Sequence, residues 1–97
     1  ISMMDAGRAV PGWDLGIEVA PDARRKGYAR EALAAVVRTY FEQTDTVLFT
    51  GGHYAYNTVS GALLKQLGFV YEGVEHKAMR HAERGPTDLV CYFLEKE

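Results

Sequence analysis

Arg24-Arg25-Lys26-Gly27-Tyr28-Ala29 joins a strand-like segment to a helix-like one, and its reading decides the rest of the chain. Before it, residues 13–20 alternate, with Trp13, Leu15, Ile17 and Val19 on one face and Asp14, Gly16 and Glu18 on the other. That is the period of a half-buried strand, and Pro21-Asp22 stops it. After it, over residues 27–42, Ala29, Leu33, Val36, Val37, Tyr40 and Phe41 recur at the spacing of an amphipathic helix. Three cations at the start of that helix are unfavourable. The first turn already carries about half a positive charge, and each misplaced basic group costs roughly 0.3–1 kcal/mol. Its backbone N–H groups also lack internal partners. Basic residues stacked there, with Gly27 allowing close backbone approach, point to an anion, polyphosphate being the usual one. The alternative is a solvated basic patch in which Gly27 serves only the turn.

The remaining elements follow in order. Residues 46–50 form a short β-rich run bounded by Asp45 and Gly51-Gly52, which predicts a second strand. Residues 57–67 predict a second helix: Asn57 suits the N-cap, Val59, Leu63 and Leu67 form the buried stripe, and Gly68 followed by Phe69 suits the C-terminus. Residues 69–79 and 88–94 predict an antiparallel hairpin turning at Glu83-Arg84-Gly85-Pro86. Residues 1–12, with Gly7, Pro11 and Gly12 and no clear period, read as a lead-in or linker to one domain over 13–97. The β-α-β-α-β-β order gives a parallel pair joined by a crossover helix and a closing hairpin. The fold class is therefore α/β with a mixed sheet, in the α+β sense.

Composition narrows the function classes. The chain has 97 residues, 47% hydrophobic and 25% charged, which suits one small globular domain. A net charge of −2 makes the basic cluster local and argues against nucleic acid as the partner. No apolar run reaches the roughly 20 residues that span a bilayer, so no membrane partner is expected. Cys91 is the single cysteine, which rules out an internal disulfide and makes the cytoplasm the default compartment. Its place in the apolar run 89–94 reads as inert core. His76 and His81, with Glu75 and Glu83, match no metal-ligand spacing, so no metal is expected.

Taken together, these pieces resemble the GNAT acyltransferase superfamily. The resemblance is carried by Arg24-Arg25-Lys26-Gly27-Tyr28-Ala29, by Gly16-Ile17-Glu18-Val19-Ala20-Pro21-Asp22 before it and by Arg30-Glu31-Ala32-Leu33 after it. Asn57-Thr58-Val59-Ser60 followed by Leu67-Gly68-Phe69 adds to it, and the details look most like the Rim-type branch. The resemblance implies an N-acetyltransferase with acetyl-CoA as co-substrate and an amine acceptor, either a small molecule or a protein N-terminus. Amides of residues 27–30 would take the CoA pyrophosphate, with Arg24, Arg25, Lys26, Tyr28, Ala29 and Arg30 around it. The backbone of Ile17, Glu18 and Val19 would pair with the pantetheine arm as an added strand does. Asn57 and Ser60 would lie near the pantetheine and the thioester, although an N-cap and a first-turn residue explain both positions without a ligand.

Direct attack by an amine on the thioester needs a base. Glu18 and His53 are the candidates; a solvated carboxylate and a loop histidine are the alternatives. Many family members carry a tyrosine before the Gly-Phe pair as the acid for the leaving thiolate. Leu64 stands there in this sequence, which leaves Ser60 as the candidate donor.

The resemblance covers the later portion of the family fold, so a GNAT-like fold lacking its N-terminal elements is expected. Ile1 in place of Met fits a truncated or processed chain. An unpaired edge on the strand of residues 13–20 would follow, covered by a homodimer. A CoA-binding remnant of weak activity and a dimerising structural fragment are the alternatives to an active enzyme.

Overall fold

The computed structural model describes residues 2–16 and 26–97. The elements are β1 (Ser2–Asp5), β2 (Gly12–Gly16), α1 (Lys26–Gln43), β3 (Leu48–Tyr54), α2 (Thr58–Gln66), β4 (Val70–His81) and β5 (Gly85–Glu95). They build one five-stranded mixed sheet in the order β1-β2-β3-β5-β4. β2 and β3 are parallel, from Gly12 opposite Leu48 to Gly16 opposite Gly52, while the other three pairs are antiparallel. The α/β mixed sheet expected from the sequence is what forms. The parallel pair across α1 and the antiparallel β4–β5 hairpin also form as expected.

Three expectations need correction. Residues 1–12 are no mere lead-in, because Ser2–Asp5 pairs with β2 from Ser2 opposite Gly16 to Asp5 opposite Trp13. The edge of β2 that was to be left open is therefore covered within the chain, and the β-α-β-α-β-β order gains a strand at its start. Gly51-Gly52, read as the boundary of the second strand, lies inside β3. The physical reason is crowding from both sides. A Cβ on Gly51 would stand 3.2 Å from Leu64 Cδ2, and one on Gly52 would stand 3.0 Å from Leu89 Cδ1. Glycine here makes room for neighbouring side chains, and the strand continues through it. In α2, finally, the buried face is wider than the Val59, Leu63, Leu67 stripe: Ser60, Gly61, Leu63 and Leu64 are buried, and Val59 and Leu67 pack half-buried against the core beside them.

The core lies between the helices and one face of the sheet. Leu33 and Val37 of α1, Leu63 and Leu64 of α2, and Leu15, Phe49, Phe69 and Tyr92 form it. Phe49 is fully buried at its centre, with Tyr40 and Phe41 edge-on at ring separations of 6.2 and 5.1 Å. Trp13 meets Tyr40 edge-on at 5.9 Å. The helix ends are satisfied locally. Thr44 Oγ1 donates to the Tyr40 carbonyl at 2.6 Å, and Lys96 Nζ donates to the Phe41 carbonyl at 2.6 Å. α2 ends as expected: Gly68 takes φ 92°, its N–H reaches the Lys65 carbonyl, and the N–H of buried Phe69 reaches that of Leu64, each at 3.0 Å.

Replacing Phe49 by Ala removes the ring that both α1 aromatics meet. The expected loss is about 3–5 kcal/mol. In a domain of this size thermal unfolding registers that as a fall of well over 10 °C, or as failure to fold.

Candidate functional site

The sequence-predicted site falls in three parts of the fold. Ile17, Glu18, Val19, Arg24 and Arg25 lie outside the described residues. Lys26 and Gly27 open α1. Beyond them Tyr28 is 78% exposed, Arg30 is exposed, and Ala29 packs partly against the core. The first turn of α1 contains no acidic residue, so nothing within it offsets the positive end of the helix.

The second part is the N-terminus of α2. Asn57 is the N-cap, and its side-chain oxygen accepts from Ser60 N at 3.2 Å. Ser60 is fully buried. The structure thus brings Asn57 and Ser60 into one turn.

His53 occupies a third position, and it is not the loop histidine suggested as an alternative. It lies within β3, 7% exposed, on the side that faces α2. Its Nδ1 is 2.6 Å from the Tyr54 carbonyl, which accepts only, so Nδ1 carries a proton. Nε2 lies 3.2 Å from the Tyr92 hydroxyl, a hydrogen-bond distance. The two rings stack with centroids 5.5 Å apart. Burial, with the nearby Tyr71 as a second cause, raises the Tyr92 phenol above its ordinary pKa. Tyr92 was hidden from sequence reasoning by the apolar run around it. Only its phenol, a group that seeks a partner when buried, was a signal.

The sheet face away from the helices forms a groove of about 730 Å³. Asp14 accepts from Thr50 Oγ1 at 2.5 Å within it. Arg8, from the β1–β2 connection, reaches Glu72 of β4 through two hydrogen bonds of 2.8 and 3.3 Å. That pairing lowers the Glu72 pKa and raises that of Arg8. No local sequence pattern announces a contact between residues 64 positions apart. Cys91, expected in the core, instead faces this groove half-buried, its Sγ 3.6 Å from Glu75 Oε1. Burial first, and then the charge of Glu75, push its thiol up to about 11.

A mixed sheet with a parallel pair bridged by a long helix, and a capped second helix returning to a C-terminal hairpin, is the acyl-CoA N-acyltransferase type of fold. Residues 1–70 match the acetyltransferase (GNAT) domain, Acetyltransf_3, and the chain belongs to that family. Comparison with curated protein sequences gave no match. Among solved structures, the chain resembles the ribosomal-protein-S5-alanine acetyltransferase of Vibrio fischeri, with a TM-score of 0.78 and 20% identity over 89% of this chain and 46% of that one. It resembles a GNAT-family acetyltransferase of Bacillus anthracis with a TM-score of 0.73 and 24% identity, over 87% and 50% of the two chains. Microcin C7 self immunity acetyltransferase MccE, solved with acetyl-CoA and AMP, gives 0.75 and 21% over 88% and 47%. The chain spans about half the length of the solved structures it matches. No described helix is long and apolar enough to cross a membrane.

The raised Cys91 pKa has a direct consequence. A thiol that ionises near 11 in place of 9.0 carries about a hundredth of the thiolate at pH 8. A thiolate of higher pKa is also the better nucleophile, which offsets part of that loss. Alkylation of the folded chain by iodoacetamide should accordingly run about tenfold or more slower than in denaturant, a ratio that mass spectrometry measures.

Proposed function

We propose that this chain is the acetyl-CoA-binding portion of an N-acetyltransferase that moves acetyl from acetyl-CoA to a primary amine by direct attack. The observation that carries the reading is membership of the acetyltransferase family together with the β2–α1–β3 unit, in which α1 opens at Lys26-Gly27. In this reading the amides of residues 27–30 take the CoA pyrophosphate, assisted by the helix dipole. Arg24, Arg25, Lys26 and Arg30 supply charge around it, beside Tyr28 and the small Ala29. Ile17, Glu18 and Val19 offer backbone to the pantetheine, and Asn57 and Ser60 stand towards its thioester end. A structure similar in fold, MccE, was solved with acetyl-CoA, which supports acetyl-CoA as the co-substrate.

The amine nitrogen attacks the thioester carbonyl, the C–S bond breaks, and the CoA thiolate leaves. Glu18 is the preferred base for the proton of the attacking amine. His53 is less suited, since both of its ring nitrogens are engaged inside the fold. Ser60 is the candidate donor to the departing thiolate, because buried Leu64 has no proton to give. The groove across the sheet, with Asp14 and Glu75 on its wall, suits a cationic amine. A cytoplasmic setting accords with the single free thiol.

A CoA-binding remnant with little turnover is the second reading, favoured by Leu64 standing where a tyrosine would serve the leaving thiolate as acid. The dimerising fragment keeps less of its argument, because β1 pairs with residues 13–16 of the strand whose edge a partner was to cover.

Acetyl-CoA at about 100 times its dissociation constant should stabilise the chain by roughly 2.7 kcal/mol, or about 10–20 °C in melting temperature. Gly27→Asp should abolish that shift, and calorimetric binding with it, while circular dichroism stays native. Binding that survives the substitution would overturn the phosphate assignment. Where turnover is found, Glu18→Gln should lower kcat by roughly 100-fold or more and leave the affinity for acetyl-CoA unchanged. A wild-type pH–rate profile in that variant would remove Glu18 as the base.

A further inference from the structure

Gly61 stands inside the nine-residue helix α2, where almost any other residue favours the helix more. It is buried, and a Cβ there would lie 2.7 Å from His53 Nε2 and 3.2 Å from the Tyr92 hydroxyl. The His53 ring is held against that Cβ by its own contacts. Tyr54 holds it at one nitrogen, Tyr92 holds it at the other, and the Tyr92 ring stacks against it. Helix and sheet therefore meet where no side chain fits, against a polar pair whose hydrogen bonds fix ring orientation as well as position. Two phenylalanines would fill such a space without fixing either ring's rotation.

The consequence travels along the helix. Ser60 is the adjacent residue, and Asn57 caps the same turn through its bond to Ser60 N. A shift of Gly61 away from β3 carries both with it, because the turn is held together by its own hydrogen bonds. We infer that Gly61, His53 and Tyr92 are positioning residues: their contact sets the height of the first turn of α2 over β3, and so places Asn57 and Ser60 for acetyl-CoA. The inference rests on the acetyl-CoA site proposed above. It gives His53 and Tyr92 a role that needs no contact with substrate.

The test uses this chain with Gly61→Ala, Gly61→Ala combined with His53→Asn, His53→Asn alone, and Tyr92→Phe. Amide hydrogen exchange reads the seat of α2 without ligand, and calorimetry reads acetyl-CoA affinity. In Gly61→Ala, exchange at residues 58–62 should quicken by about tenfold or more, with residues 33–41 of α1 unchanged. Its affinity for acetyl-CoA should fall by about fivefold or more. Asparagine keeps a polar group near the Tyr54 carbonyl and withdraws the ring atoms that a Cβ would strike. The double variant should therefore return in both measures to within about twofold of His53→Asn alone. Tyr92→Phe removes the hydroxyl without adding volume, and it serves if Gly61→Ala does not fold; exchange at 58–62 should again quicken, by about threefold or more. Unchanged exchange in these variants overturns the inference, as does a loosened α2 that binds acetyl-CoA with wild-type affinity. Wild-type protein that fails to bind acetyl-CoA overturns the proposed function and the inference with it. Wild-type binding beside unaffected variants overturns this inference alone.

Discussion

The parallel pairing of β2 with β3 is the constraint on which the other features depend. Parallel neighbours need a long crossover, and α1 supplies it, eighteen residues laid across one face of the sheet. That crossover brings Tyr40 and Phe41 against Phe49, the buried centre of β3. β3 is also the strand against which every later element is placed: β5 pairs along its whole length, and α2 sits over Gly51 and His53. Its composition reflects that crowding. Within seven residues β3 holds the buried Phe49, two glycines crowded by Leu64 and Leu89, and the buried His53 under Gly61.

Polar groups are used in two different ways on the two faces of the sheet. On the helix side the His53–Tyr92 pair is enclosed and mutually satisfied, and among the described residues no buried side-chain polar atom lacks a partner. On the other side Arg8–Glu72 is half-exposed, where screening and side-chain entropy limit such a pair to about 0.2–1 kcal/mol. The first pair governs geometry. The second ties the β1–β2 connection to β4 across the groove at little energetic gain. The outer strand β4 is interrupted by bulges, one of them at Lys77, whose φ of 52° is held by a 2.8 Å bond from its N–H to Asp88 Oδ1. An interrupted strand makes a poor template for pairing with another chain.

Much of this architecture was legible in the sequence because local chemistry specified it. The alternation of Trp13 and Leu15, the helical spacing of Leu33 and Val37, the Asn57 cap and the Gly68-Phe69 ending each reflect a rule that acts within a few residues. What was misread depends on distant partners. Gly51-Gly52 read as a strand boundary, because the side chains that crowd those positions, Leu64 and Leu89, come from other elements. Ser2–Asp5 has too few residues to show a period, and it becomes a strand only by lying beside β2. At the candidate site, Asn57 and Ser60 were legible as the start of a helix. Tyr92 was not, since an apolar run gives no indication which of its members will face a histidine.

The order of strands in the sheet differs from their order in the chain. β5, made after the other four, fills the slot between β3 and β4. Until it arrives, a chain emerging from the ribosome has all seven residues of β3 unpaired on that side, with Phe49 and His53 among them. The sheet cannot close in the order in which it is synthesised. Insertion into the middle replaces stepwise growth at an edge, and an unfilled slot in a half-made sheet is a place where a second nascent chain can pair.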